Sequence, residues 1–218
     1  MRNAEKIPEL YKTPFPHVIV KDFLDEQTLD LVTYALAGLE YDFDESDLFS
    51  YLSFGLTDVD HPVINILRDD LGEEFWRKKV AEKFGVKELS KIDLSAYVYG
   101  LGSFLLPHDD QVDGRIIAYS LHLTDIEMTK KMGGALDIYE SDESGKSSLV
   151  KSIVPEYNSL IMFEVSDKSW HQVSEILADI QRLTVTGWYH GLYQFLLSRR
   201  SNTFQSEKNI QVIRFSFC

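Results

Sequence analysis

The chain has 218 residues, 44% of them hydrophobic, and a formal net charge of -13 at pH 7; this is enough for one domain with a sizeable core and little beyond it. So acidic a chain gains no general attraction to a polyanion, which argues against direct nucleic-acid binding; the charge either suits a basic protein partner or, more simply, keeps the chain soluble. The single cysteine, Cys218, excludes an intramolecular disulfide, the N-terminal residues lack the apolar run of a signal peptide, and no stretch approaches a membrane span; the expectation is a soluble protein of a reducing compartment, cytoplasm or nucleus, with no membrane partner.

In chain order, residues 1–13 are polar, and Pro14 to Phe23 reads as a strand entered through a proline-limited turn. Asp25 is placed to cap a helix whose Leu29, Val32, Leu36 and Leu39 share one face. Residues 40–60 mix acids with Phe43, Phe49, Tyr51 and Phe54, so they are either an ordinary loop with tucked aromatics or a flap over a substrate. Pro62 to Phe84 predicts one long helix with Val63, Leu67, Leu71 and Phe75 inward and Gly85 as a left-handed stop. From Leu94 onward the pattern changes to short strands: Ser95–Tyr99, a Gly100/Gly102 loop, Phe104–Leu106, Arg115–Leu123, a Gly133-Gly134 turn, Ala135–Tyr139, Leu149–Val154, Leu160–Val165, Val173–Ile176 and Arg182–Tyr189. With 13 Phe and 11 Tyr, this spacing predicts a sandwich or barrel with helices on one side.

The chemistry concentrates in His108-Asp109-Asp110, Trp170-His171 and Arg182. In extended backbone residues i and i+2 point the same way, so His108 and Asp110 are expected to face one ion while Asp109 turns aside. His171 would join them from another strand as the third metal ligand. Two imidazoles and one carboxylate suit a first-row divalent metal and leave positions open, as in non-haem Fe(II) oxygenases. Arg182 carries the planar fork that grips a carboxylate at two points, unless it is a strand-end arginine paired with surface acids. Alternation puts Trp188 on the face of Arg182, as a wall of the site or a plain core residue.

Further runs carry a resemblance: His108-Asp-Asp-Gln-Val-Asp-Gly-Arg-Ile-Ile-Ala-Tyr, Met132-Gly-Gly-Ala-Leu-Asp-Ile-Tyr139, Phe163-Glu-Val165, Trp170-His-Gln-Val-Ser-Glu175 and Arg182-Leu-Thr-Val-Thr-Gly-Trp-Tyr-His190. Together they resemble the prolyl hydroxylase branch of the 2-oxoglutarate- and Fe(II)-dependent oxygenases, and within it the group that 3-hydroxylates a proline of a small-subunit ribosomal protein at the decoding centre. The resemblance implies a mainly β double-stranded β-helix, or jelly roll, over residues 14–190. It implies Fe(II), 2-oxoglutarate, dioxygen and L-ascorbate as cofactors, and a basic ribosomal protein as substrate, with consequences for translation. Residues 191–218 show no counterpart of that group's second barrel and are expected to be a divergent tail dispensable for turnover. Tyr99 matches an aromatic of the cosubstrate pocket. His122 stands where the family has a Tyr that helps hold the cosubstrate carboxylate, so cosubstrate binding is expected to tighten as pH falls toward 6. The nucleic-acid branch carries a second Arg six residues after the first, and here that position is Trp188. The alternatives are a related dioxygenase on another substrate and a non-catalytic 2-oxoglutarate- or oxygen-sensing module.

Overall fold

A computed structural model describes residues 7–112, 114–141 and 147–191. The first strand, β1 (His17–Val20), leads into α1 (Glu26–Ala37). The Asp25 side chain accepts the Thr28 backbone N–H at 3.0 Å and so satisfies one of the free amides of the first turn. Leu29, Val32 and Leu36 form the buried stripe of α1. Within residues 40–60 the expected loop is instead a hairpin of β2 (Asp42–Ser46) and β3 (Phe49–Gly55) that joins the sheet. The acids that suggested a loop line the outer strand β2, whose residues are mostly exposed.

The predicted long helix is two: α2 (Pro62–Gly72) and α3 (Glu74–Phe84). Glu73 takes an extended conformation between them, next to a glycine that holds helix weakly. The break rotates the second stripe. Trp76, Val80 and Ala81 go inward, while Phe75, expected in the core, is 62% exposed. Gly85 ends α3 at φ +70°, as its sequence position predicts. All three helices pack on one side of the sheet, where Leu36, Leu67, Leu71 and Trp76 meet Ile117, Tyr119, Leu121, Val185 and Tyr189. Each large side chain buried there is worth about 1.5–3 kcal/mol.

The remaining strands are β4 (Ser95–Tyr99), β5 (Phe104–His108), β6 (Arg115–His122), β7 (Leu136–Ser141), β8 (Ser147–Ile153), β9 (Ser159–Glu164), β10 (His171–Val173) and β11 (Arg182–His190). Their order is β1-β9-β6-β11-β4-β3-β5-β10-β7-β8, with β2 on the other edge of β3. β3 pairs with β4 through Leu52–Gly55 and with β5 through Phe49 and Ser50. One long strand thus bridges two walls, and the antiparallel sheet curls on itself as a double-stranded β-helix. The strand expected at Val173–Ile176 sits earlier, at His171–Val173, because His171 pairs with His108 of β5 on one side and Ile138 of β7 on the other. No helix among the described residues is long and apolar enough to cross a membrane. Of the tail expected at residues 191–218, residues 192–218 lie outside the described residues.

Candidate metal centre

β5 and β10 run antiparallel with His108 directly opposite His171, which brings the two imidazoles to 4.1 Å between ring centroids. Asp110 follows on the turn after β5, and its carboxylate reaches both rings: Oδ1 lies 3.5 Å from His108 Nε2 and Oδ2 lies 3.5 Å from His171 Nε2. The three ligand atoms lie within 4.8 Å of one another, close enough to hold one ion. How Asp110 gets there differs from the sequence expectation. The strand ends at His108, and Asp110 adopts φ +63°, the left-handed region that aspartate tolerates better than most residues. A tight turn, not pleat alternation, aims the carboxylate. Asp109 does turn aside, its side chain accepting the Gln111 amide at 3.0 Å.

The ring orientations are fixed from behind. His108 Nδ1 lies 2.9 Å from the Leu106 carbonyl, and His171 Nδ1 lies 2.7 Å from that of Ser169. Each carbonyl claims the Nδ1 proton and leaves Nε2 as a lone pair facing Asp110. Ser169, fully buried, also donates to the Asp109 carbonyl at 2.8 Å and ties the two ligand-bearing loops together. Burial, helped by the neighbouring His108, pushes the His171 imidazole down to about 4, so it stays neutral. Burial alone would raise the Asp110 carboxyl; the surrounding His108, His171 and Arg115 overcome it and hold the group below its usual range.

Arg182 opens β11 opposite Tyr99 of β4. It is 2% exposed, with its guanidinium carbon 5.1 Å from the Tyr99 ring centroid. Its Nε makes no hydrogen bond, and among the described residues no carboxylate pairs with it. Burial pushes this guanidinium down to about 10. A buried cation without a counter-ion is expensive, and the natural occupant of the space before it is an anion. His122 of β6 pairs with Thr184 of β11, so the two strands turn His122 and Arg182 to one face. His122 is 3% exposed, and its Nδ1 also lacks a partner. Burial and then the charge of Arg182 drive its imidazole well below the ordinary value. In the ligand-free protein this disfavours the charged ring on which the expected tightening toward pH 6 depends.

Tyr99 lies in a cluster with Tyr51, Val173 and Ile176, edged by Phe49, Tyr97 and Leu105. Leu123, next to His122, packs on the opposite side, in the helix-side core. Trp188 faces the site together with Arg115, whose guanidinium carbon stacks 3.4 Å from the indole centroid. The structure thus gathers His108, Asp110 and His171 at one point, with Arg182, His122, Tyr99 and Trp188 on the adjoining wall. Sequence reasoning missed Arg115, Tyr97 and Gly134. The last has φ +69°, and a Cβ there would sit 2.5 Å from Ile176 Cδ1 and 3.0 Å from Arg182 Cδ; the glycine pair was legible as a turn, but its contact with Arg182 carried no local signal.

Neutral nitrogen and carboxylate oxygen in this ratio suit Fe(II), and the unpaired Arg182 and His122 suit a carboxylate-bearing cosubstrate. Fold and donor set together mark a class, the non-haem iron oxygenases on a double-stranded β-helix. Residues 94–190 match the model of the 2OG-Fe(II) oxygenase superfamily. It is 38% identical over 186 residues to prolyl 3-hydroxylase OGFOD1 of Xenopus laevis, covering 84% of this chain and 36% of that protein. It is 32% identical over 214 residues to prolyl 3,4-dihydroxylase OGFOD1 of Ostreococcus tauri, covering 87% and 40%. The chain thus spans well under half the length of these relatives. Among solved structures, a Pseudomonas putida prolyl-4-hydroxylase superposes with a TM-score of 0.64 at 15% identity, covering 81% of this chain and 93% of the other. A Trichoplax adhaerens prolyl hydroxylase, solved with a peptide of hypoxia inducible factor, superposes at 0.62 and 15% identity, covering 87% of each. At these identities the two structures speak for the fold alone.

Proposed function

We propose that this domain is a 2-oxoglutarate- and Fe(II)-dependent dioxygenase that hydroxylates a prolyl residue, at C3, in a basic protein of the small ribosomal subunit. The observation that carries the reaction class is the unpaired buried Arg182 on the wall beside a three-ligand centre. The prolyl target is supported by the names of the relatives. A basic partner is supported by the net charge of -13.

His108, Asp110 and His171 would hold the iron, the two imidazoles through Nε2 and Asp110 through its carboxylate. Arg182 receives the distal carboxylate of 2-oxoglutarate, and His122 donates a hydrogen bond to the same group from a neutral ring. When bound, iron and 2-oxoglutarate supply the oxidation of an unactivated C–H bond, with dioxygen consumed and 2-oxoglutarate leaving as succinate and carbon dioxide. Tyr51, Tyr97, Tyr99 and Leu105 keep water from the reacting atoms and offer an apolar wall to a pyrrolidine ring. Burial holds the Tyr97 and Tyr99 hydroxyls protonated, so they act as neutral donors.

The test is incubation with small-subunit ribosomal proteins, Fe(II), 2-oxoglutarate and L-ascorbate, followed by succinate assay and peptide mass spectrometry. The expected result is succinate release coupled to a gain of one oxygen on a proline, with amino-acid analysis giving the 3-hydroxy isomer. Succinate without any modified ribosomal peptide would overturn the substrate and keep the reaction class; no succinate from metal-loaded protein would overturn both.

A further inference from the structure

Arg115 stands at the start of β6, whose alternation would send it toward the helices with Ile117, Tyr119 and Leu121. A bulge prevents this. Tyr189 of β11 pairs with Ile117, but the next residue, His190, pairs with Arg115. Ile116 is thereby the extra residue, and both Ile116 and Ile117 pack into the helix-side core. The bulge re-aims Arg115 to the opposite face, as bulges beside sites commonly do. There its guanidinium lies flat on Trp188 at 3.4 Å, and Nη1 comes to 3.8 Å from Asp110 Oδ1, with both side chains largely buried. The same Oδ1 lies 3.5 Å from His108 Nε2, and the other carboxylate oxygen, Oδ2, lies 3.5 Å from His171 Nε2. Asp93, bound to His190 at 2.7 Å, also lies within the electrostatic reach of Arg115.

We propose that Arg115, laid on Trp188, is a positioning residue that draws one oxygen of Asp110 to itself and so keeps Asp110 a one-oxygen metal ligand. This inference rests on the iron-site reading above. A carboxylate is free to grip a metal with both oxygens, and doing so here would fill a coordination position that the cosubstrate or dioxygen needs. The αL turn at Asp110 sets where the carboxylate sits, and Arg115, together with the Trp188 side chain beside it, bears on its rotation. Removing a cation near a divalent ion also removes repulsion, so metal affinity alone is a poor readout. The decisive quantities are how many positions on the metal stay open and how well the cosubstrate binds.

The experiment loads the full chain with Mn(II) and counts exchangeable metal-bound waters by water-proton relaxation, then titrates 2-oxoglutarate. Wild type is compared with Arg115→Met and Arg115→Gln, which lose the charge by two routes, and with Arg115→Lys, which keeps it. Whichever neutral variant retains the wild-type thermal midpoint is expected to hold fewer exchangeable waters and to bind 2-oxoglutarate about tenfold more weakly. Arg115→Lys is expected to restore most of the water count. Unchanged water count and cosubstrate affinity in a folded neutral variant would overturn the role of Arg115 and leave the iron site standing. An Arg115→Lys protein as impaired as the neutral variants would equally overturn it, because the charge would not be what matters. Failure of the wild type to hold Mn(II) at all would instead overturn the functional reading.

Discussion

The two faces of β11 obey different rules. On one, Val185 and Tyr189 are buried among the helices, and the polar atoms they bring are paired: Trp76 Nε1 donates to the Tyr189 hydroxyl, which donates to the Leu71 carbonyl, both at 2.9 Å. On the other, Arg182 is just as buried, yet its Nε is unpaired, and so is Nδ1 of His122 beside it. Folding alone does not favour burying a cation without a partner. One face pairs its polar atoms within the fold, and the other presents groups whose chemistry fits a metal and an anion.

The largest effect should come from removing what the open face is built for. His108→Ala takes away a half-exposed ring at a strand end, so metal affinity and succinate release should collapse, by at least about 100-fold, with little change in thermal midpoint. Titration with Mn(II) and a melting curve check both halves, and retention of tight metal binding would show that His108 is not a ligand.

Next is Arg182→Met, which separates the faces most sharply. Cosubstrate affinity should fall about 10- to 100-fold, since hydrogen bonds to charged groups are worth ~1.5–3 kcal/mol. The ligand-free protein should meanwhile keep its stability or gain about 1–3 kcal/mol, because an uncompensated buried charge is gone. Urea unfolding beside a 2-oxoglutarate titration measures both, and a loss of several kcal/mol would mean that Arg182 is a structural member after all. The mirror experiment is Tyr189→Phe. It breaks the pairing of Trp76 and the Leu71 carbonyl and should cost about 1–3 kcal/mol of stability, while metal and cosubstrate affinities stay at wild-type values. A weakened site in that variant would contradict the separation of the faces.

What was legible in the sequence follows the same division. The cap at Asp25, the stop at Gly85 and the strands from Ser95 to Tyr189 rest on local rules of period and turn chemistry. The His108, Asp110, His171 and Arg182 set was legible because side-chain chemistry limits what such residues do together. The failures are places where a long-range contact overrides a local period. Phe75 has the right spacing for the core, but the break at Glu73 rotates Trp76 into its place. Residues 40–60 look like a loop because half of the hairpin is an exposed edge. Arg115 has the wrong parity for the site until the bulge opposite Tyr189 and His190 corrects it. Asp110 was placed on the right face for the wrong reason, since αL geometry and not the pleat puts it there.

The smallest expected effect concerns His122, and it tests whether the open face is kept neutral apart from Arg182. Burial and the Arg182 charge hold the imidazole well below 6.5, so His122 should add no pH dependence to 2-oxoglutarate affinity between about pH 8 and 6. The proton matters to folding instead. His122 is neutral in the folded chain and protonates near pH 6.5 once unfolded. Between its folded pKa and 6.5 the unfolded state therefore binds more protons, and stability rises with pH. This contribution is complete above about 6.5 and is lost as pH falls toward the folded pKa, at up to ~1.4 kcal/mol per pH unit. His17, lowered chiefly by its own burial, adds the same sign, so the informative quantity is the difference between wild type and His122→Gln. Urea unfolding of the ligand-free proteins across pH 7 to 5 should show the variant with a slope shallower by up to one proton. Equal slopes would mean that His122 is hydrated or already charged. A wild-type cosubstrate affinity that rises toward pH 6, and does not do so in the Gln variant, would restore the charged-histidine clamp that the buried imidazole argues against.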